Sequence, residues 1–584
     1  MGVHGLERYI FVEAPEGVKK EISIKEEIEY YFTKHGKLPL IVIDLQYFMS
    51  GITINSKKEQ LCGGRIQNYI RNIESFFHQL KTMNVEMVFF SNCYTKDEDF
   101  ESWCMTAEKR YQAQLSVLDM VYEGKPLTEI SNYCVTTKLN IPLQKMVSGA
   151  IWEIACRNGR VLKAYEFRRS IASYAQEHHA MAVLGNNSDY LIFPGDWRYW
   201  SSSKLNFREM VTLEFDKVFL RKQLRLTDSQ MPLFATIAGS NFVDLKSLET
   251  LHNHVGKDKP FMEGVANMIS KSSSSVLDSD DVDCIISIAF DSKIDRNVVY
   301  KSLDYFQVPP FFKETNFNSD KLIDRLYHAD DLFFYQVLTE KYLYTSLQFV
   351  DFRKGDIPSY PELILTLRRK CIGILFKNKG NPDLLQTFIV KMGHDEEFTK
   401  LEMEPIYPDY PVPSLKDLLL PTVSIHAPRN FTTDRHNLLK FLISEKISQK
   451  EINSIHKRFL STALTIFYMY EHRCLTLDEA DIFTLSTYSV ALDLVPAKIV
   501  PPETLNPRAF RLTFMFLRLF EHIKRCFLVA GLPYLIDKVQ FDGYHLHNTY
   551  NQFIDESDKQ KKKMMEKIPK YVQLYRILND IEIR

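Results

Sequence analysis

Leu40, Ile41, Val42, Ile43 and Asp44 constrain this chain more than any other residues, because they form an unbroken apolar run closed by an acid. A strand that is apolar on both faces must be covered on both faces, which is the setting of a parallel sheet between helices. The next segment has the matching period. Ile66, Tyr69, Ile70, Ile73, Phe76, Phe77 and Leu80 recur in steps of three and four, the stripe of an amphipathic helix. Val85 to Phe90 then reads as a second buried strand, and Leu143, Met146, Val147, Ala150, Ile151, Ile154 and Ala155 as a second stripe. Segments 160–165, 181–184 and 190–193 read as further strands, with a helix over 166–178. Strands separated by helices of this length imply right-handed crossovers. From Leu233 onward helical pattern dominates, and the Ser/Asp-rich stretch 271–281 reads as a loop. Helices are predicted over 362–376, 451–470, 477–494 and 508–528. The fold class is therefore α/β, a mostly parallel sheet flanked by helices, followed by a large, mainly helical C-terminal region.

Charge and cysteine usage narrow the partners. Lys plus Arg number 73 and Asp plus Glu 74, a net charge of -1 over 584 residues. Proteins that coat nucleic acid draw affinity from phosphate neutralisation and are usually basic, so any such contact here must rest on a local patch. The nine Cys include no closely spaced pair of the kind that binds zinc, and read as reduced thiols of an intracellular protein, nuclear or cytoplasmic. The first residues lack the basic and apolar regions of a signal peptide. No apolar stretch reaches membrane-spanning length; the nearest, Phe510 to Phe520, is interrupted by Arg511 and Arg518. A soluble protein without a membrane partner is expected.

In an open parallel sheet, functional groups gather outside the carboxyl ends of the strands. Asp44 closes the first strand, Glu166 follows the strand at 160–165, and Asp189 lies in the loop before segment 190–193. Three carboxylates on separate strand ends can converge on one hard cation. An acid at such a junction also reads as a helix cap. His252 and His254, like His545 and His547, stand two apart, so on a helix they face different ways and read as structural. Lys559 and Lys561 to Lys563 read as a solvated helix face.

Six spaced segments then carry a resemblance. Met1-Gly2-Val3-His4-Gly5-Leu6 resembles the opening of flap endonucleases and asteroid proteins; IVIDLQYF (41–48) resembles their first acidic strand; VLGNNSDYLIF (183–193) resembles their Asp-x-Asp turn; and PLFATIAGSNFVD (232–244) resembles their Gly-x-Asp motif. In the C-terminal region, LRRKCIGILFKNKG (367–380) and LTLDEADIFTLSTYSVALDL (475–494) are similar to asteroid. The chain is identified as resembling the asteroid family of the flap-endonuclease (XPG/PIN-like) superfamily. That resemblance implies a two-metal phosphodiesterase with about seven carboxylates, two cations standing about 4 Å apart. Matched place by place, Asp44, Glu166 and Asp189 remain as the catalytic and metal-binding remnant, while Ser91, Arg168, Asn187 and Asn241 stand where acids are expected. Three carboxylates cannot neutralise two divalent ions, and Arg168 adds a like charge, which at about 4 Å and an effective dielectric near 20 costs about 4 kcal/mol. One weakly held Mg²⁺ or Mn²⁺, or none, is expected, with Arg168 instead pairing with Asp44 or Asp189.

The resemblance further implies domains over 1–245 (PIN-like), 246–330 (a helical segment in place of a helix-hairpin-helix, whose Gly-rich turn is missing from 243–261) and 331–584 (asteroid-type, helical). Lys109 and Arg110 stand where the family places phosphate-steering cations, and also read as a solvated face. The expected function is a catalytically weak or inactive nuclease fold that binds nucleic acid or a protein. A Mg²⁺- or Mn²⁺-dependent single-strand or flap endonuclease is the alternative, with a signalling adaptor, by family analogy, as the second.

Overall fold

The computed structural model describes residues 2–45, 56–92, 99–137, 139, 141, 144–164, 166–243, 245–255, 260–272, 279–290, 296–311, 321–327, 331–377, 384–423, 433–496, 498–536 and 538–578. The chain divides into two compact units, each discontinuous in sequence. The first comprises Met1–Asn55, Asn72–Tyr94 and Ile151–Thr315, and the second Ser56–Arg71, Thr95–Ala150 and Asn316–Arg584.

The first unit is built on a seven-stranded sheet. Its strands are β1 (Lys19–Ser23), β2 (Leu40–Asp44), β3 (Glu86–Asn92), β4 (Arg160–Ala164), β5 (Ala182–Gly185), β6 (Arg198–Ser201) and β7 (Val211–Phe215), in the order β1-β7-β6-β5-β2-β3-β4. The five strands from β6 to β4 in that order run parallel, and β7 and β1 complete one side antiparallel. All five residues of β2 are buried, as an apolar run at the centre of a covered sheet requires. The stripe from Ile66 to Leu80 lies on the helix Ile66–Thr82 and all seven of its residues are buried. In the helix Gln144–Asn158, Ile151, Ile154 and Ala155 are buried, while Leu143 lies outside the described residues. The core continues through Phe90, Tyr174, Val183, Tyr190 and Phe234 to Tyr305 and Phe306.

The order places a switch point at β2. The chain leaves β2 toward β3 and β4 on one side, then returns to lay down β5 and β6 on the other. The carboxyl ends of β2 and β5 flank this switch point, where such sheets carry their sites.

The second unit is mainly helical. Its long helix Pro507–Val529, capped by Asn506 with Pro507 in the first turn, packs against Tyr360–Lys377 and Lys457–Glu471. It also holds a small sheet of β8 (Leu343–Tyr344), β9 (Gln386–Val390) and β10 (Thr399–Met403). No helix among the described residues is long and apolar enough to cross a membrane.

Two expectations are corrected. The segment 190–193 is not a strand: Ser188–Leu191 forms a 3₁₀ turn, because the Asn187 side chain accepts from the Asp189 N–H and winds the chain at once after β5. The single helix expected over 451–470 is two, Gln449–Ser454 and Lys457–Glu471, since Ile455 is extended and His456 caps the second helix by accepting from Arg458 N–H. β1, β6, β7 and the second sheet were not expected from sequence.

Candidate functional site at the switch point

Asp44 ends β2 with its side chain fully buried. The Tyr190 hydroxyl donates to Asp44 Oδ2 at 2.6 Å. The phenol reaches that far because Gly185, at the end of β5, has no Cβ; one built there would lie 2.8 Å from the Tyr190 ring and 3.3 Å from Asp44 Cβ. Burial, followed by the Asp44 charge, raises the Tyr190 pKa well above its ordinary value, so the phenol stays protonated and remains a donor.

Asp189 sits in the turn after β5, also buried. Arg168 Nη1 donates to its Oδ2 at 3.0 Å, and the Tyr305 hydroxyl donates to the same oxygen at 3.1 Å. Arg168 comes from the first turn of the helix Phe167–Glu177, and Tyr305 from the end of the helix Arg296–Phe306. Burial raises the Asp189 pKa, and Arg168 and Tyr305 oppose that rise. Asn187 is buried, its carbonyl oxygen held by Asp189 N–H at 2.9 Å and its own N–H donating to the Tyr199 hydroxyl at 2.9 Å. The N-terminal segment closes over this turn. A Cβ on Gly2 would lie 2.4 Å from Ser188 Oγ and 2.6 Å from Asn187 Oδ1, so the close approach demands glycine.

Glu166 is turned outward, its side chain 61% exposed. Arg169 bridges it at 3.1 Å to Asp304 at 3.2 Å, and also donates to the Gln307 carbonyl at 2.9 Å. Ser91 is half-buried on β3, in register with Lys163 of β4, and Asn241 is exposed beyond the helix Met231–Gly239. Lys109 and Arg110 are exposed on the helix Phe100–Tyr122 of the second unit. The Nε2 of His252 lies 3.0 Å from the Ile237 carbonyl oxygen.

The switch point thus gathers Asp44, Asn187 and Asp189, adds Arg168, and leaves Glu166 in a separate outward cluster. Among the described residues no group of three or more His, Cys, Asp or Glu side chains is placed to hold a metal ion. Mg²⁺ and Mn²⁺ need several oxygen ligands. Here one oxygen of Asp44 accepts from a phenol and one oxygen of Asp189 accepts from a guanidinium and a second phenol. As arranged, this donor set does not fit a pair of divalent cations. Tyr190, Tyr305 and Arg169 are the partners that sequence reasoning missed. Tyr190 follows Asp189 directly, but Tyr305 lies 116 positions away and only the fold brings it close.

The sheet order, its switch point and the acids at its strand ends define a mixed α/β protein with a mostly parallel central sheet. In sequence the chain is similar to asteroid-type proteins. The chain is 24% identical over 290 residues to the single-strand DNA endonuclease ASTE1 of Danio rerio, covering 46% of this chain and 37% of that protein. It is 21% identical over 248 residues to the constitutive coactivator of peroxisome proliferator-activated receptor gamma of Homo sapiens, covering 42% and 26%. The match spans between about a quarter and two fifths of these relatives' own length. Among solved structures, human GEN1 in complex with Holliday junction DNA aligns with a TM-score of 0.31 at 12% identity, covering 71% of this chain and 90% of that one. The catalytic core of Rad2 aligns with a TM-score of 0.27 at 11% identity, covering 54% and 90%. Superpositions that loose add nothing to the topology above. No family model matches the chain.

Proposed function

We propose that this asteroid-like protein is a nuclease fold whose catalysis is weak or lost, and that it acts as a scaffold binding nucleic acid or a protein. The observation that carries this reading is the Arg168–Asp189 ion pair at 3.0 Å, which sets a fixed cation where the superfamily resemblance implies a mobile divalent one. A metal entering there must displace Arg168 and strip Asp44 of its phenol donor. Asp44, Glu166 and Asp189 are the remnant of the catalytic set in this reading, with Ser91, Arg168, Asn187 and Asn241 its degenerate places. Lys109 and Arg110 offer an exposed cationic face for phosphate. The division into 1–245, 246–330 and 331–584 belongs to the same proposal.

The zebrafish relative's name supports a second reading, a single-strand endonuclease using Asp44, Glu166 and Asp189 with one metal, whereas the human relative is named a coactivator. One pair of measurements separates them. The scaffold reading expects no cleavage of single-stranded or flapped oligonucleotides with Mg²⁺ or Mn²⁺, and no rise in melting temperature with Mn²⁺. Cleavage that disappears in Asp44→Ala would sink it.

A further inference from the structure

The second unit contains a cavity of about 360 Å³, within the size range of small-molecule sites. Arg511, Phe514, Met515 and Arg518 line it from the helix Pro507–Val529. Their spacing of three, four and seven puts them on one face of that helix. The same two arginines interrupt what would otherwise be its longest apolar run. Opposite them stand Phe349, Ser359 and Tyr360.

Positive charge here exceeds its negative partners. Arg518 is buried and donates to the Tyr360 hydroxyl at 3.2 Å and to Ser346 Oγ at 2.7 Å, with no carboxylate among the described residues. Arg368, buried nearby, donates to Thr345 Oγ1 at 2.6 Å and likewise has none. Burial, then the charges of Arg525 and Arg518, pushes the Arg368 pKa down to about 9, although Asp331, itself bonded to Arg525, opposes the fall. Arg511 is paired with Asp356 at 2.7 Å, and Arg508, which also reaches Asp356, has Glu479 as its own partner, so the surplus lies with Arg518 and Arg368. The acids on the lining do not supply the balance: Asp351 is taken by Arg353 and Tyr122, and Glu362 is exposed. Ser359 Oγ is buried with no hydrogen-bond partner. Buried charges are otherwise paired, so a surplus of guanidinium beside an open cavity calls for an anion from outside. A planar guanidinium fork suits phosphate oxygens, and the Phe349–Phe514 wall, with ring centroids 4.5 Å apart, suits a flat apolar body.

We propose that this cavity binds a small phosphomonoester with an aromatic body, the chemistry of a nucleoside monophosphate. Arg518 and Arg511 hold the phosphate, Ser359 donates its hydroxyl, and the Phe349–Phe514 wall takes the base. The site lies wholly in the second unit and does not depend on the reading of the strand-end acids.

Calorimetric titration and thermal unfolding of the full chain in chelator, with adenosine and uridine monophosphates, test this. The expected result is saturable binding and a raised Tm, with adenosine alone and inorganic phosphate alone each at least tenfold weaker. Arg518→Met should weaken binding about tenfold to a hundredfold, the scale of a lost hydrogen bond to a charged group. Arg518 also holds the Ser346 loop. Met515→Trp, at a half-buried position on the lining, therefore provides a second variant that fills the cavity and should abolish binding with the fold intact. The proposal is overturned if neither nucleotide binds, if inorganic phosphate binds as tightly as the nucleotides, if both variants bind unchanged, or if a 5′-phosphorylated oligonucleotide outcompetes the monophosphates.

Discussion

Replacing Arg168 by Met tests the internal ion pair directly. Asp189 has a side chain only 2% exposed and Arg168 one of 16%, so the pair is poorly screened by solvent. Removing one partner of a buried pair leaves an uncompensated charge and costs about 3–5 kcal/mol. Tyr305 stays as a donor to the same oxygen, which favours the lower end of that range. For a unit of this size the loss lowers Tm by roughly 6–15 °C. The sign of the pH dependence follows from Asp189. Its pKa is already raised by burial, and loss of Arg168 raises it further. A carboxyl whose folded pKa exceeds its unfolded pKa is harmless below the unfolded value, near 4, and costs stability as pH rises from there to the folded value. The penalty in Arg168→Met should therefore be small at pH 4 and full at pH 7.5. Adding Asp189→Asn, which removes the buried charge, should recover most of the loss at pH 7.5. Urea unfolding of the single and double variants at both pH values measures all of this. A single variant within about 1 kcal/mol of the parent at pH 7.5, or a double variant no more stable than the single, refutes the ion pair as the element that replaces a cation.

Other outcomes follow from neighbouring contacts. Tyr190→Phe removes the 2.6 Å bond to buried Asp44 and should cost about 1.5–3 kcal/mol in urea unfolding; a neutral result would mean Asp44 does not depend on that phenol. Gly185→Ala drives a Cβ to 2.8 Å from the Tyr190 ring and should cost about 1–3 kcal/mol, seen as a lower Tm. His547 is buried in the second unit with neither ring nitrogen bonded, and burial holds its pKa down at about 4. Since folding favours its neutral form, stability is full above the unfolded pKa near 6.5 and falls by about 3 kcal/mol as pH drops to about 4. His547→Phe should flatten that slope in unfolding measured from pH 7 to pH 4.

The sequence carried the parallel core and the place of Asp44 at its strand end, because both depend on local pattern: β2 is apolar throughout, and the helical stripe keeps its period. It carried less where the chain departs from period. Segment 190–193 has strand composition, but Asn187 accepting from Asp189 N–H turns it into a 3₁₀ coil. β6 and β7 are short and sit at the side of the sheet where helices no longer alternate with strands, so nothing in their neighbourhood announced them. The site was legible in its residues and not in its bonds. Arg168 was visible as the wrong charge in an acidic place, yet which acid it would meet was settled by the turn that carries Asp189 and by the distant helix carrying Tyr305.

On the proposed reading, those bonds bear on why a site of this kind can stay folded without a metal. Carboxylates clustered at strand ends repel one another, and in an acid-rich ancestor divalent ions would offset that repulsion. Here the charge is lowered at its source. Asn187 and Asn241 carry none, Glu166 faces water with Arg169 beside it, and of the two buried acids one meets a guanidinium and the other a phenol. Asp44 and Asp189 are the two buried carboxylates on which an entering cation would have to rest. Placing acids at 168 and 187, where the family resemblance implies them, therefore tests whether these strand ends can hold a cation. Arg168→Asp with Asn187→Asp should be unstable without metal, because four carboxylates then crowd the strand ends with no cation among them, and should regain stability with Mn²⁺ as the parent does not. A double variant equally unstable with and without Mn²⁺ would show that the Tyr190 and Tyr305 contacts, not the missing acids alone, now close the site.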